Sequence, residues 1–197
     1  MPFEGIWKSV FGQPEKGGAW LIYGAEKNGK TTFALMLANY LSTLEPVLYI
    51  SAEEGLQDSF TDACMRAGLS PDNKSLKMSD YIPLEELRER LRKRKSQRIV
   101  VLDNITIYQD ELKNGNLWGL LKEFPSTVFI FLAHEKNGDP YTATAQACKR
   151  YAKIIVHLEG LVAFVSGRCP GGRIVINEEK AELCYGDGIN ESESYKM

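Results

Sequence analysis

Short apolar runs alternate along the chain with longer segments in which apolar residues recur every three or four positions. Apolar and β-branched residues dominate five runs: Ala19–Gly24, Val47–Glu53, Arg98–Ile105, Thr127–Glu135 and Lys153–Glu159. Each run is too short and too continuously apolar for an amphipathic helix, and this pattern is typical of strands buried on both faces. The runs therefore predict the strands of a parallel sheet.

The segments between the first four runs have helical spacing. These segments are Thr32–Leu44, Leu56–Ala67, Pro83–Lys95 and Leu112–Glu123. In the third segment, Leu84, Leu87 and Leu91 fall on one stripe of a helix. The alternation of strands and helices predicts a three-layer α/β domain, with a mostly parallel sheet and crossover helices on both faces.

The pattern changes after Gly160. Short apolar stretches separated by glycine-rich turns follow at Leu161–Ser166, Arg173–Asn177 and Glu182–Tyr185. Short strands joined by such turns favour antiparallel pairing, so we expect an antiparallel β extension at one edge of the sheet. We assign residues 1–186 to one domain and residues 187–197 to a flexible polar C-terminal tail.

Composition narrows the class of protein. Of the 197 residues, 44% are hydrophobic and 25% are charged, which is ordinary for a globular domain. No apolar run reaches the roughly 18 residues of a membrane span and the first residues lack a signal-peptide pattern, so the expected location is the cytoplasm. With 24 basic and 26 acidic residues the net charge is −2, which argues against a surface wholly dedicated to polyanions. The four cysteines lack CxxC spacing and are expected to be isolated core thiols.

A glycine-rich motif follows the first apolar run. The segment Gly24-Ala25-Glu26-Lys27-Asn28-Gly29-Lys30-Thr31 matches GxxxxGK[ST], between a predicted strand and a predicted helix. Backbone N–H groups of such a loop surround phosphate oxygens, while the lysine neutralises the β- and γ-phosphates and the hydroxyl of Thr31 binds Mg²⁺. We predict that these eight residues and Thr32 form a site for Mg²⁺ and ATP, with no individual role for Glu26 or Lys27.

Two further strand ends carry acidic residues. Asp103 ends the apolar run Ile99–Leu102, as expected of a Walker B aspartate that supports Mg²⁺. Asn104 follows it, so a hydrolase must take the group that activates water from elsewhere. Glu53 is the candidate because strands of open α/β sheets gather ligands at their carboxyl ends. An exposed acid pair formed by Glu53 and Glu54, with no catalytic role, is the alternative.

These motifs together resemble the RecA-like ATPases, in particular the RadA, KaiC and plasmid RepA-helicase branches. Tyr49-Ile50-Ser51-Ala52-Glu53-Glu54 is similar to the element whose glutamate polarises the attacking water. The resemblance implies this role for Glu53, with Glu54 as the alternative. Phe129-Ile130-Phe131-Leu132-Ala133-His134-Glu135-Lys136 is similar to the strand whose terminal polar residue senses the γ-phosphate, which implies that role for His134.

The resemblance extends to the last predicted strands. Phe164-Val165-Ser166-Gly167-Arg168-Cys169-Pro170-Gly171-Gly172 resembles the RadA segment that supplies a lysine and an arginine to the nucleotide of a neighbouring subunit. Arg168 matches the arginine, whereas Ser166 stands at the lysine position. The resemblance therefore implies a homo-oligomer, a ring or a filament, with a shared site. Arg173 is the rival for this role.

Contact with nucleic acid has two candidate segments. Seven basic residues lie between Arg88 and Arg98, and we interpret them as a solvated helix face because the helix also carries acidic residues. In RecA-like motors the loop after the sensing strand holds DNA, and its equivalent is Asn137–Ala145, where Tyr141 is the one aromatic residue. The resemblance implies single-stranded DNA or a replication or repair protein as partner.

The favoured function is a Mg²⁺-dependent ATPase that acts in DNA replication, repair or recombination and forms ADP and phosphate. Two alternatives remain open. One is a nucleotide-gated interaction module, a loader or regulator that hydrolyses ATP weakly. The other is a small-molecule kinase, which needs an acceptor pocket and an arginine-rich lid over the phosphates. No residue can be assigned to recognition of the base.

Overall fold

The computed structural model describes residues 1–177 together with Ala181 and Cys184. Its strands are β1 (Gly18–Gly24), β2 (Val47–Ser51), β3 (Leu76–Ser79), β4 (Ile99–Asp103), β5 (Val128–Lys136), β6 (Asp139–Pro140), β7 (Ala152–Glu159), β8 (Val162–Gly167) and β9 (Gly172–Val175). Its helices are α1 (Gly5–Phe11), α2 (Lys30–Ser42), α3 (Asp58–Arg66), α4 (Leu84–Arg92), α5 (Gln109–Leu112), α6 (Asn116–Glu123) and α7 (Ala143–Tyr151).

The strands of the described residues form one mixed sheet. Their order is β3-β2-β4-β5-β1-β7-β8-β9, and β6 pairs with the end of β5. The pairs from β3 across to β7 are parallel. The pairs of β7 with β8 and of β8 with β9 are antiparallel. Both the parallel sheet and the antiparallel extension at one edge are as predicted.

Helices cover both faces of this sheet. One core contains apolar side chains of α1, α2 and α3, including Phe11, Leu35 and Phe60. The other core contains side chains of α4 to α7, including Leu87 and Leu120. This arrangement confirms the three-layer α/β prediction.

Strand β1 shows why the parallel strands are almost uniformly apolar. Trp20 and Ile22 enter the first core, whereas Leu21 and Tyr23 enter the second. All four side chains are buried because successive side chains of a strand point to opposite faces and both faces are covered.

One predicted helix is wrong in its extent. Leu112–Glu123 was expected to be continuous, but the structure contains α5 and α6 with a break between them. At the break, Asn114 and Gly115 have φ angles of 55° and 88°, in the left-handed region. A residue in that conformation cannot continue a right-handed helix, so the chain turns there.

Four elements had no counterpart in the prediction. They are α1, β3, β6 and α7. Two of them, β6 and α7, fall in or next to Asn137–Ala145, which is therefore a short hairpin followed by a helix start and not a loop. Thr142 caps α7 by accepting a hydrogen bond from the N–H of Ala145 at 3.2 Å.

Beyond residue 177 the structure describes only Ala181 and Cys184. The predicted tail, residues 187–197, lies outside the described residues. The predicted strand Glu182–Tyr185 does so too, except for Cys184, which is helical and exposed, in disagreement with both the strand and the core-thiol expectations. None of the helices in the described part of the chain is both long and apolar enough to cross a membrane.

Candidate functional site

The predicted site residues meet where the parallel strands end. Gly24 of β1 lies opposite His134 of β5 in the sheet register. Ser51 of β2 lies opposite Asp103 of β4 in the same way. Because β5 lies between β1 and β4, the four strand ends form one continuous edge, which carries the glycine-rich loop at one side and Glu53 at the other.

The glycine-rich loop has the backbone that a phosphate-binding loop requires. A Cβ atom on Gly24 would lie 2.4 Å from the carbonyl oxygen of Leu158, so only glycine fits between β1 and β7. Gly29 has a φ angle of 85°, and α2 begins at the next residue, Lys30. The N-terminus of α2 therefore points its free N–H groups and the positive end of its dipole into the loop.

The loop is tied to the antiparallel extension by one side chain. Asn28 accepts a hydrogen bond at Oδ1 from the N–H of Gly160, at 3.1 Å. Gly160 belongs to the turn between β7 and β8, so the turn supports the loop from outside the parallel sheet.

Lys30 is partly buried in the loop. Its Nζ donates a hydrogen bond to the carbonyl oxygen of Ala25 at 2.8 Å. Burial lowers the pKa of Lys30, because it disfavours the charged form, while Asp103, Glu26 and Glu53 act in the opposite direction. A cation held at this place is suited to pair with an anionic group above the loop.

Asp103 is joined to the loop by a direct hydrogen bond. Its Oδ2 accepts hydrogen bonds from the hydroxyl of Thr31 at 3.1 Å and from that of Tyr49 at 2.7 Å. Burial raises the pKa of Asp103 to about 6, although these two hydrogen bonds favour the charged form. The carboxylate is thus buried at a point where a cation would offset its charge.

This pair of oxygen ligands fits magnesium. Mg²⁺ prefers hard oxygen donors and binds to proteins through one or two of them, with phosphate and water as its other ligands. Thr31 and Asp103 supply a hydroxyl and a carboxylate at the edge of a phosphate loop. The donor set is therefore the one expected for Mg²⁺ with a nucleotide.

Glu53 lies in a turn that follows β2. The N–H groups of Ala52 and Glu53 both donate to the carbonyl oxygen of Asp103, at 2.6 and 3.2 Å, which fixes the turn against the end of β4. The carboxylate of Glu53 accepts a hydrogen bond from Nδ2 of Asn104 and lies 3.3 Å from Nε2 of His134. Predicted as the last residue of a strand, Glu53 is instead the middle of a turn.

His134 completes this group. Its Nε2 lies 2.8 Å from Nδ2 of Asn104, and its Nδ1 is buried without a hydrogen-bond partner among the described residues. The structure therefore brings Lys30, Thr31, Asp103, Glu53 and His134 to one edge, as the sequence predicted.

Two residues of the site were not predicted. Tyr49 is buried in the middle of β2, where the pattern shows it only as an apolar strand residue. In the sequence, Asn104 stands out only as an amide in place of a second acid after Asp103. A polar residue directly after a buried strand is the signal for Asn104, but its partners come from the turn after β2 and from β5, and they depend on the sheet order.

Arg168 is not part of this group. In β7, Leu158 pairs with Gly24 of the loop, whereas Ile154 pairs with Gly167, the neighbour of Arg168. The two β7 positions are four residues apart, a distance of about 13 Å along a strand. Arg168 thus lies toward the opposite end of the strands from the loop of its own chain. Arg173, in β9, pairs with Phe164.

The segment beyond His134 forms a hairpin. The N–H of Tyr141 donates to the carbonyl oxygen of His134 at 2.8 Å, and β6 pairs with the end of β5. Tyr141 is exposed, and Nζ of Lys136 lies 5.1 Å from the centre of its ring. One exposed aromatic ring with a lysine therefore projects directly beyond His134.

The basic stretch has partners within the fold. Arg88 and Arg92 both form ion pairs with Glu123 of α6. The stretch ends at Arg98, whose N–H donates to the carbonyl oxygen of Pro46, the residue before β2. The basic stretch therefore runs toward the amino ends of the strands and away from the glycine-rich loop. Residues 92–95 and Arg98 are exposed, as predicted for a solvated face, whereas the side chain of Arg88 is only 13% exposed beside Glu123.

The three-layer fold and this edge are consistent with a RecA-like domain that carries a phosphate loop. The sequence is similar to the DNA repair protein RadA of Aquifex aeolicus (strain VF5), with 32% identity over 115 residues. The matched stretch covers 57% of this chain and 25% of RadA, so the chain corresponds to about a quarter of that protein. No protein-family model matches the chain. The similarity supports the superfamily of RecA-like P-loop ATPases and no finer grouping.

Proposed function

We propose that this chain binds Mg²⁺ and ATP and hydrolyses ATP to ADP and phosphate. The observation that carries the proposal is the hydrogen bond between Thr31 and Asp103, at the same edge as Lys30, Glu53 and His134. A phosphate loop, an acidic group for the metal, a carboxylate for water and a polar sensor are the parts that nucleoside triphosphate hydrolysis needs.

Each residue has a distinct part in the proposed reaction. Residues 24–32 surround the phosphates, and Lys30 exchanges the carbonyl of Ala25 for a phosphate oxygen. Thr31 and Asp103 hold Mg²⁺, which neutralises charge on the phosphates when it is bound. Glu53 accepts a proton from the water that attacks the γ-phosphate in line with the departing ADP. His134 contacts the γ-phosphate and carries its state into the hairpin.

Glu53 is a better candidate for the base than Glu54. Both glutamates are exposed on the same turn, but it is the carboxylate of Glu53 that lies against Asn104 and His134. Glu54 acts on Asp103 only through its charge, by raising the pKa of that group together with burial and Glu53.

The position of Arg168 supports a shared site. An arginine near the γ-phosphate stabilises the charge of the transition state and can raise the rate by several powers of ten. Arg168 lies beside the end of β7 that is remote from the loop of its own chain. It can therefore serve this purpose only on a neighbouring copy in a ring or filament. The same observation favours a second candidate function, a nucleotide-gated loader or regulator that hydrolyses ATP weakly unless it is assembled.

The similarity to a DNA repair protein supports a proposal for the biological setting. We propose that the chain acts in replication, repair or recombination, in the cytoplasm, with single-stranded DNA or a protein of these processes as partner. Lys136 and Tyr141 offer a cation and a ring for a nucleotide strand. A small-molecule kinase has less support, because the arginine-rich segment runs away from the loop it would have to cover.

A titration of single-stranded DNA against Mg²⁺-ATP turnover tests this proposal. We expect turnover that rises with DNA, that is lost in Lys30→Ala together with ATP binding, and that is lost in Glu53→Gln without loss of binding. Near-normal ATP binding by Lys30→Ala would remove the phosphate-loop assignment. Tight binding with little turnover at any DNA concentration would favour the nucleotide-gated module.

A further inference from the structure

Asn104 forms three contacts that fix the direction of its side chain. Its Oδ1 accepts a hydrogen bond from the N–H of Thr106 at 2.8 Å. Its Nδ2 donates to the carboxylate of Glu53 and lies 2.8 Å from Nε2 of His134. Because an amide has one acceptor end and one donor end, the bond from Thr106 aims the donor end at Glu53 and His134.

The two N–H groups of this amide serve two different residues. One bonds to Oε2 of Glu53, and the other points to Nε2 of His134 at 2.8 Å, where it can donate when that nitrogen carries no proton. The carboxylate of Glu53 therefore has one oxygen held by Asn104. The other oxygen, Oε1, lies 3.4 Å from Nε2 of His134 on a side chain that is 46% exposed, so water can reach this carboxylate.

The side chain of Glu53 is free to move unless a neighbouring donor such as Asn104 holds it. Its side chain is 46% exposed and lies on a turn, whereas Asn104 is only 2% exposed. A long exposed carboxylate samples several rotamers, and displacement of a catalytic group by about 1 Å can cost roughly a hundredfold in rate. A buried, rigid donor removes that freedom.

We propose that Asn104 is a positioning residue, which holds the carboxylate of Glu53 toward the attacking water and joins it to His134. The inference rests on the proposed function of Glu53 as the base. In this proposal Asn104 does not contact the nucleotide. It also gives a reason for an amide directly after Asp103, since an acid there would repel Glu53 and a hydroxyl could not donate to both partners.

Two substitutions remove the hydrogen-bond donor of Asn104 and keep an acceptor for the N–H of Thr106. Asn104→Asp keeps the shape and the acceptor for Thr106 but replaces the donor with a second carboxylate. Asn104→Ser keeps a small acceptor near Thr106 and cannot reach Glu53. Asn116→Ala is the matched control, because Asn116 donates to a backbone carbonyl on the exposed side of α6.

We expect both Asn104 variants to lower kcat roughly ten- to a hundredfold with little change in KM or in ATP affinity. Asn116→Ala should leave kcat unchanged. Thermal unfolding shows whether each variant is folded, and if the buried charge prevents Asn104→Asp from folding, Asn104→Ser decides the question. An undiminished kcat in a folded Asn104 variant overturns the proposal.

A double-mutant cycle tests whether Asn104 acts through Glu53. In single-turnover measurements with excess protein, Asn104→Ser should have no further effect in the Glu53→Gln background. Losses that multiply would show that Asn104 acts independently of Glu53, and the proposal would then be wrong. Equal turnover by the wild type and Glu53→Gln would instead reject the function proposed for Glu53, which is a separate result.

Discussion

Asp103 is a carboxylate whose burial works against its charge. In the folded protein its pKa is raised from the ordinary 3.8 to about 6, mainly because burial disfavours the ionised form. The folded state thus binds this proton more tightly than the unfolded state does. For this group the free energy of unfolding is highest at low pH and falls as the pH rises from about 4 to about 6.

Asp103→Asn should therefore stabilise the protein above pH 6, while it removes the carboxylate that we propose as a ligand for Mg²⁺. We expect a gain of about 1 to 3 kcal/mol in the free energy of unfolding at pH 7.5, measured by urea denaturation in EDTA without nucleotide. The gain should shrink toward pH 4.5, where the wild-type carboxyl group is protonated. A wild type that is as stable as the variant at pH 7.5 would contradict this expectation.

The candidate residues that local motifs predict lie together in the structure. Lys30 and Thr31 follow from the spacing of the glycine-rich loop, and Asp103 from its place at the end of an apolar strand. Asn104 could not be predicted, because its role depends on hydrogen bonds to Glu53 and His134. These partners are 51 and 30 residues away along the chain, and only the order of strands brings them together.

Helix α1 was not predicted, although aromatic residues at its position recur with helical spacing. Phe3, Trp7 and Phe11 recur every four positions, which is a helical stripe. The ring of Phe11 stacks on Trp20 of β1 at 5.6 Å, and that of Trp7 stacks on Tyr40 of α2 at 5.2 Å. The helix thus closes the first core near the amino end of β1.

Phe11→Ala should cost about 3 to 4 kcal/mol in the free energy of unfolding, because Phe11 is 1% exposed and its removal leaves a cavity. Urea denaturation followed by tryptophan fluorescence measures this loss. Ile6→Ala, on the exposed side of the same helix, is the control and should change stability by less than about 0.5 kcal/mol. Similar losses in both variants would show that α1 does not pack as described.

The turn between β7 and β8 supports the glycine-rich loop through Asn28. Asn28→Ala removes the acceptor for the N–H of Gly160, so the loop loses one anchor. A hydrogen bond of this kind contributes about 0.5 to 1.5 kcal/mol, and we expect ATP affinity to fall roughly three- to tenfold. Titration with a fluorescent ATP analogue, with Asn116→Ala as control, measures the change; an unchanged affinity would show that the anchor does not order the loop.

Elements with strong periodicity were predicted, and short or partly exposed ones were not. Strand β3 is a four-residue edge strand whose side chains are only partly buried, so its alternation of Leu76, Lys77 and Met78 is a weak signal. The missed helix α7 begins at Ala143, beside a hairpin turn whose Asn137 has a φ angle of 56°. In both places tertiary contacts, more than local pattern, decide the structure.

At the scale of the whole molecule, the proposed shared site would make activity depend on assembly, because Arg168 lies far from the loop of its own chain. If Arg168 serves the nucleotide of a neighbouring copy, the specific ATPase activity should rise with protein concentration through the midpoint of self-association. Arg168→Ala should flatten that rise. Arg173→Ala is the matched comparison, since Arg173 is the rival for the same role.

Sedimentation velocity gives the midpoint of self-association for each of these proteins. A specific activity that stays constant from well below to well above the midpoint would reject a shared site. A flattening in Arg173→Ala but not in Arg168→Ala would move the role to Arg173.

In the proposed reaction, Glu53 activates water for hydrolysis of ATP bound over the loop at residues 24–32. Single-turnover hydrolysis of prebound Mg²⁺-ATP tests it most directly, with the wild type, Glu53→Gln and the neighbouring Glu54→Gln side by side. We predict that Glu53→Gln binds ATP normally and hydrolyses it at least about a hundredfold more slowly, whereas Glu54→Gln keeps most of the wild-type rate. Hydrolysis by Glu53→Gln at the wild-type rate would show that Glu53 is not the base.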